Sequence, residues 1–257
     1  MKHLKRFNEG WRENLAVGLS LNDSVLQNKT KLYCEGKITD TEFFVYLDML
    51  NEGWLTDMKN WVVEKVLKVL NTILQQAVKI GSAAITKAIS AIKYILDKLN
   101  TFADKNPVLW RAIIIGIILF IMLIVSAASA KAATTGSHID PNIINAAIGK
   151  IQELGKSTDA DSILIQKAMA YLIDIRDGHQ EISNELYGKK AMDIANHAVN
   201  TINSLKSTSE KTAGSDEQAA ALNFIDYIKN YVKAGADYVG AEITKQGSDI
   251  KVNLQHK

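Results

Sequence analysis

Five histidines, one cysteine and 28 acidic residues are the groups from which this 257-residue chain could build a reactive or metal-binding centre. The histidines are His3, His138, His179, His197 and His256, and no pair sits at metal-ligand spacing on one helix. His179-x-Glu181 has the spacing of half a zinc–water site, but no Pro-Cys-x-x-Cys follows to complete it. Asp174 and Asp177 share a helix face, flank Arg176 and stand near a helix end, so they read as solvated charge. Neither a phosphate-binding Gly-x-x-x-x-Gly-Lys loop nor a Gly-x-Ser-x-Gly turn occurs. Cys34 is the only cysteine, which rules out an intramolecular disulfide. It reads as a small hydrophobe on a helix. The expectation is a protein that is not an enzyme, with no catalytic residues, no metal and no cofactor.

The elements around these residues are more telling. Only 2 prolines and 15 glycines interrupt the chain, and its β-branched residues follow helical spacing. The expected fold is all-α: a helical hairpin, a long amphipathic helix, a single transmembrane helix and a C-terminal helical bundle. The expected boundaries are 1–57 for a leader and hairpin, 58–106 for the basic amphipathic region, 107–130 for the span, 131–139 for a linker and 140–257 for the bundle with a loose tail.

Ala112 to Ala130 is the organising stretch, bounded by Arg111 and Lys131 with no charge between. At helical rise it is about 28 Å long, close to the thickness of a bilayer's hydrocarbon core. Pro107 suits the first helical turn, Trp110 the interface, and Arg111 can snorkel. Phe120 lies inside the run, and Gly116 stands alone without a small-xxx-small seam. A core helix is the alternative, but the sequence offers no β/α layers to surround one. Lys93, Lys98, Lys105 and Arg111 precede the span, whereas Lys131 alone follows it closely. The N-terminal part is therefore expected in the cytoplasm and the C-terminal domain outside. Charge agrees: residues 1–131 carry 17 Lys/Arg against 12 Asp/Glu, and residues 132–257 carry 13 against 16. Ala128-Ser129-Ala130 ends the run with residues that a signal peptidase accepts, which makes Ala130 a candidate processing position.

From Leu55 to Phe102, apolar residues recur at spacings of three and four on one long helix, or on two helices broken near Gly81-Ser82. Val66, Leu70, Ile73, Ala77 and Ile80 form the candidate seam for a membrane surface or self-association, flanked by Lys65, Lys68, Lys79 and Lys87. The helix either lies on anionic lipid or packs as a coiled coil. Aromatics are not interleaved with the lysines, so nucleic-acid binding is not expected. The expected partners are a bilayer, anionic lipid, and a protein partner or further copies of the chain.

Elsewhere, Asp23 or Ser24 starts a helix carrying Val25, Leu32 and Tyr33, ended by Gly36. Thr39-x-x-Glu42 is a capping box opening a second helix faced by Phe43, Leu47 and Leu50. Asp140-Pro141 opens another, with Ile144, Ile148 and Ile151 inward. Thr158-x-x-Asp161 caps the next, faced by Leu164, Ala168, Leu172 and Ile175, and Ser215-x-x-Gln218 opens the last.

Two stretches carry resemblances. Met1-Lys2, an apolar residue and Phe7-Asn8-Glu9 resemble the leader that targets internal head proteins of large tailed bacteriophages into the capsid. The resemblance covers about ten residues. In that family a protease cuts after the Glu of Ile/Leu-x-Glu, which implies Glu9 as a processing position, with Phe7 in place of the aliphatic. Leu50-Asn51-Glu52 matches that rule more closely and adds Glu52. Gly36, Ile38, Thr39, Glu42, Phe43 and Leu50 resemble the short helical-hairpin modules attached to membrane or oligomerising bacterial proteins. Together these imply a phage-encoded single-pass membrane protein with a structural or interaction role, in a virion or a host envelope. A holin-like or ejection protein that permeabilises membranes is one alternative. A soluble internal virion protein with its apolar segment buried in an assembly is the other.

Overall fold

The computed structural model describes residues 23–51, 66–103, 106–157, 161–177, 190, 193–198 and 200–201. All regular structure among them is helical. The chain divides into two compact units, Met1–Thr72 and Ile73–Lys257.

In the first unit, α1 (Asp23–Cys34) and α2 (Asp40–Asn51) form the expected hairpin. Gly36 ends α1 at φ +69, and the Lys37 amide reaches back to the Leu32 carbonyl at 2.9 Å. A left-handed residue there lets the chain turn and satisfies the last carbonyls of the helix. The capping box forms as expected: Glu42 Oε2 accepts from the Thr39 amide at 2.7 Å, and Thr39 Oγ1 accepts from the Glu42 amide at 3.2 Å. The bond from the Thr39 amide, followed by one that the Thr39 hydroxyl donates to the same Oε2 at 2.9 Å, holds the Glu42 carboxyl below its usual range. Tyr33 and Phe43 stack across the hairpin with centroids 4.2 Å apart and rings 9° from parallel. The inward face of α1 differs from the expected one. Tyr33 is buried as expected, but Val25 is exposed and Leu32 half-buried, and Leu26, Thr30 and Cys34 point inward in their place. Thr30 enters this face because its hydroxyl donates to the Leu26 carbonyl at 2.8 Å.

The long amphipathic region breaks where the sequence indicated. α3 (Leu67–Ile80) ends at Gly81, φ +69, and α4 (Ala83–Ala103) follows. α5 (Pro107–Thr134) is the apolar helix; the Asn106 carbonyl accepts from the Trp110 amide at 2.9 Å. It runs past Ala130 to a glycine turn at Gly136, φ +66, where the Ser137 amide bonds the Ala132 carbonyl at 2.9 Å.

α6 (Pro141–Ser157) and α7 (Ser162–Arg176) complete the described bundle. Asp140 caps α6 by accepting from the Asn142 amide at 2.9 Å. The inward face of α6 is Ile144, Ala147, Ile151 and Leu154, and Ile148 is half-buried. In α7, Leu164, Ala168 and Leu172 are buried as expected, Tyr171 joins them and Ile175 is half-buried. Asp161 rather than Thr158 is the observed cap of α7, and Thr158 lies outside the described residues. α6 and α7 approach closely at Gly155, where an added Cβ would stand 2.4 Å from Ile165 Cδ1. The helix expected after Ser215 also lies outside the described residues.

Candidate functional site

The feature with most functional content is α5 and what surrounds it. Pro107–Ser129 is long and apolar enough to cross a bilayer, and 83% of its apolar window is buried inside the protein. Every residue from Ala112 to Ala128 is buried, Gly116 and Phe120 included. α4, α6 and α7 pack against it. The layers that the sequence seemed to lack are thus amphipathic helices from both sides of α5 in the chain. Each gives its apolar face to α5: Ala84, Ala88, Ile92 and Ile95 from α4, Ile144 and Ile151 from α6, Leu164 and Leu172 from α7 are all buried.

Magnitudes show why α5 needs cover. Thirteen large apolar side chains from Leu109 to Val125 are at most 5% exposed. At roughly 1.5–3 kcal/mol each, transferring them to water would cost on the order of 20–40 kcal/mol. Transferring them to lipid tails would not, because the tails are as apolar as leucine.

One polar contact ties α5 to its sheath. Ser126 Oγ lies 2.7 Å from the Met122 carbonyl and 2.7 Å from Tyr171 Oη. Ser126 has one proton and gives it to the carbonyl, so the Tyr171 hydroxyl donates to Ser126. Both side chains are buried, which makes the bond expensive to break without a substitute partner.

The sheath is itself clasped. Asp161 Oδ1 accepts from the amides of Ile163 and Leu164 at 2.9 and 3.4 Å. Its Oδ2 meets His197 Nε2 at 2.7 Å and accepts from Thr201 Oγ1 at 2.8 Å. Burial pushes this carboxyl up, but the bonds from Thr201, Ile163, His197 and Leu164 outweigh it and hold Asp161 below its usual range. At the other end of α7, Lys190 Nζ donates to Asp174 Oδ2 at 2.6 Å. The pairs run antiparallel, 161 with 197 and 174 with 190, so Lys190, His197 and Thr201 lie along α7. Asp174 and Asp177 are therefore not simply solvated. Asp174 holds Lys190, and Asp177 accepts from Arg176 at 2.7 Å while Arg176 also reaches Asn145 Oδ1 on α6 at 3.0 Å.

The other expected site residues fall as follows. Trp110, Arg111 and Lys131 are half-buried at the two ends of the apolar run. The Lys131 stem passes the α3–α4 turn: its Cγ is 3.9 Å from where a Cβ on Gly81 would stand. Ala130 lies within the helical part of α5. Val66, Leu70, Ile73 and Ala77 are at most 1% exposed, whereas Ile80 is exposed. Lys68 and Lys87 are half-buried and Lys79 is exposed. Lys65, Glu9 and Glu52 lie outside the described residues. Among the described residues, no three His, Cys, Asp or Glu side chains gather to hold a metal ion.

Sequence reading missed these distant polar ties. Ser126 carried a signal, a hydroxyl inside an apolar run, but Tyr171 lies 45 residues away and nothing local pairs them. The chain matches no family model, no curated protein and no solved structure.

Proposed function

We propose that this protein is a non-enzymatic, membrane-acting helical protein that folds with its spanning helix sheathed and passes that helix into a bilayer. One observation carries the reading: a helix of bilayer length, apolar on all faces, is covered by separate amphipathic helices. Composition suits α5 to lipid and packing suits it to water-soluble storage, and a conditional insertion satisfies both. The inserted protein acts as a structural or interaction component of an envelope, with anionic lipid the partner favoured by the lysines ahead of α5. The leader-like residues Met1 to Glu9 support a phage-encoded protein destined for a virion or a host membrane. The lysines and Arg111 favour the N-terminal flank of α5 on the cytoplasmic side.

The second reading, a soluble protein in which α5 stays an ordinary core helix, draws on the same burial. Flotation separates the two. Purified full chain is mixed with vesicles of phosphatidylethanolamine and phosphatidylglycerol, washed with alkaline carbonate and centrifuged through a density gradient. Carbonate-resistant flotation is expected. A chain that stays at the bottom of the gradient while remaining folded overturns insertion in favour of the soluble bundle.

A further inference from the structure

The helix that leads into α5 has its own fitness for a membrane. α4 spans 21 residues, about 32 Å at helical rise, which matches the hydrocarbon thickness as α5 does. The two are antiparallel neighbours. They are joined across Asn106, and the turn before α4 lies beside Lys131 near the far end of α5. They differ in pattern. The buried face of α4 is Ala84, Ile85, Ala88, Ala91, Ile92, Ile95 and Leu99. The opposite stripe carries Thr86, Lys87, Ser90, Lys93, Tyr94, Asp97 and Lys98, each exposed or half-buried. On a helical wheel these fall within one arc, and three of its four charges are cationic. Lys98 Nζ lies 5.3 Å from the Tyr94 ring centroid, within that arc.

We infer that α4 and α5 enter the bilayer together as a hairpin, and that several copies line an anion-selective aqueous path with the lysine stripe of α4. This rests on the reading that α5 inserts. Two arguments support the step beyond it. If α5 crossed alone, either the helices before it or α6 and α7 would have to pass through the membrane. A hairpin carries across only the short connection around Asn106; it keeps both outer ends of the pair on the side of entry and, entered from the cytoplasm, reverses the orientation a single span would take. The second argument concerns Lys93, ten residues from each end of α4 and so at the bilayer midplane of a spanning hairpin. A lysine at that depth is tolerated where it faces water rather than lipid. One hairpin cannot enclose water, so the stripe requires neighbouring copies. A ring of ammonium groups then favours anions over cations.

The test uses purified full chain in planar bilayers of phosphatidylethanolamine and phosphatidylglycerol under a KCl gradient, beside flotation on the same preparation. We expect stepwise conductance with a reversal potential on the chloride side. Lys93→Glu, an exposed position whose change spares the fold, should move it several-fold in permeability ratio toward potassium. Protease added outside loaded vesicles should digest both 23–51 and 141–177. Flotation without conductance, a cation-selective wild type, selectivity unmoved by Lys93→Glu, or lipid-protected α6 and α7 each overturn the hairpin pore and leave the insertion of α5 standing. Failure to float overturns both.

Discussion

The α1–α2 hairpin and the helices around α5 solve the same problem by different means. The hairpin is held by neighbours in sequence: a glycine turn, a reciprocal cap three residues wide and an aromatic stack ten residues apart. The bundle is held by residues far apart: Ser126 with Tyr171, Asp161 with His197 and Thr201, Asp174 with Lys190. Local devices make a small unit that forms early and alone. Distant ones make a unit that closes only when its last parts arrive.

The sharpest way to break the comparison is to charge the centre of α5. Ile118→Asp should abolish the bundle, because a fully buried side chain becomes an unpaired ion, with a loss above about 4 kcal/mol. Hydrogen exchange should then show lost protection over 107–176 and retained protection over 23–51. The converse is Phe43→Ala, expected to cost about 3–4 kcal/mol in the hairpin and to leave exchange in α5 unchanged. If either change spreads into both regions, the two units are not independent.

Smaller changes address the ties. Asp161→Ala removes a helix cap together with the His197 and Thr201 bonds, so a loss of about 1–2 kcal/mol is expected, read as faster exchange in α7. Tyr171→Phe deletes one buried bond but leaves Ser126 donating to Met122; about 1 kcal/mol and faster vesicle insertion are expected. Slower insertion would contradict the role of that bond as a tie. Acid completes the series. The carboxyls of Glu42 and Asp161 both titrate lower in the folded protein than their ordinary values of 4.5 and 3.8. Their contributions are full above those values and fade as pH falls through the lower folded ones. Thermal melts should therefore change little from pH 7 to 5 and weaken below about pH 4. A midpoint that rises with acid below that pH would contradict both assignments.

Legibility in the sequence followed the same division. The capping box at Thr39, the cap at Asp140, the glycine ends at Gly36 and Gly81 and the apolar run from Ala112 were all readable, because each is written within a few residues. Faces were harder. In α1, Val25 and Leu26 are equally apolar neighbours, and only packing against α2 selects Leu26. The sheath around α5 was unreadable for a physical reason: an amphipathic helix shows the same pattern whether its apolar face meets lipid or another helix. The same ambiguity leaves both a lipid surface and a coiled coil open for the basic region ahead of α5 when only its sequence is read.

The sequence order of the sheath has a consequence in time. α4 and α5 leave the ribosome before α6 and α7 do. Forty-two residues separate Thr134 from Arg176, and at roughly 5–20 residues per second their synthesis occupies about 2–8 seconds. During that interval α5 has only the α4 side of its cover, and targeting factors that bind apolar helices compete directly with the unfinished bundle. If α5 inserts as proposed, the choice between the closed bundle and an early entry into the membrane is a race set by translation speed. Slow codons placed between 135 and 176 would tilt it toward the membrane without changing a single residue.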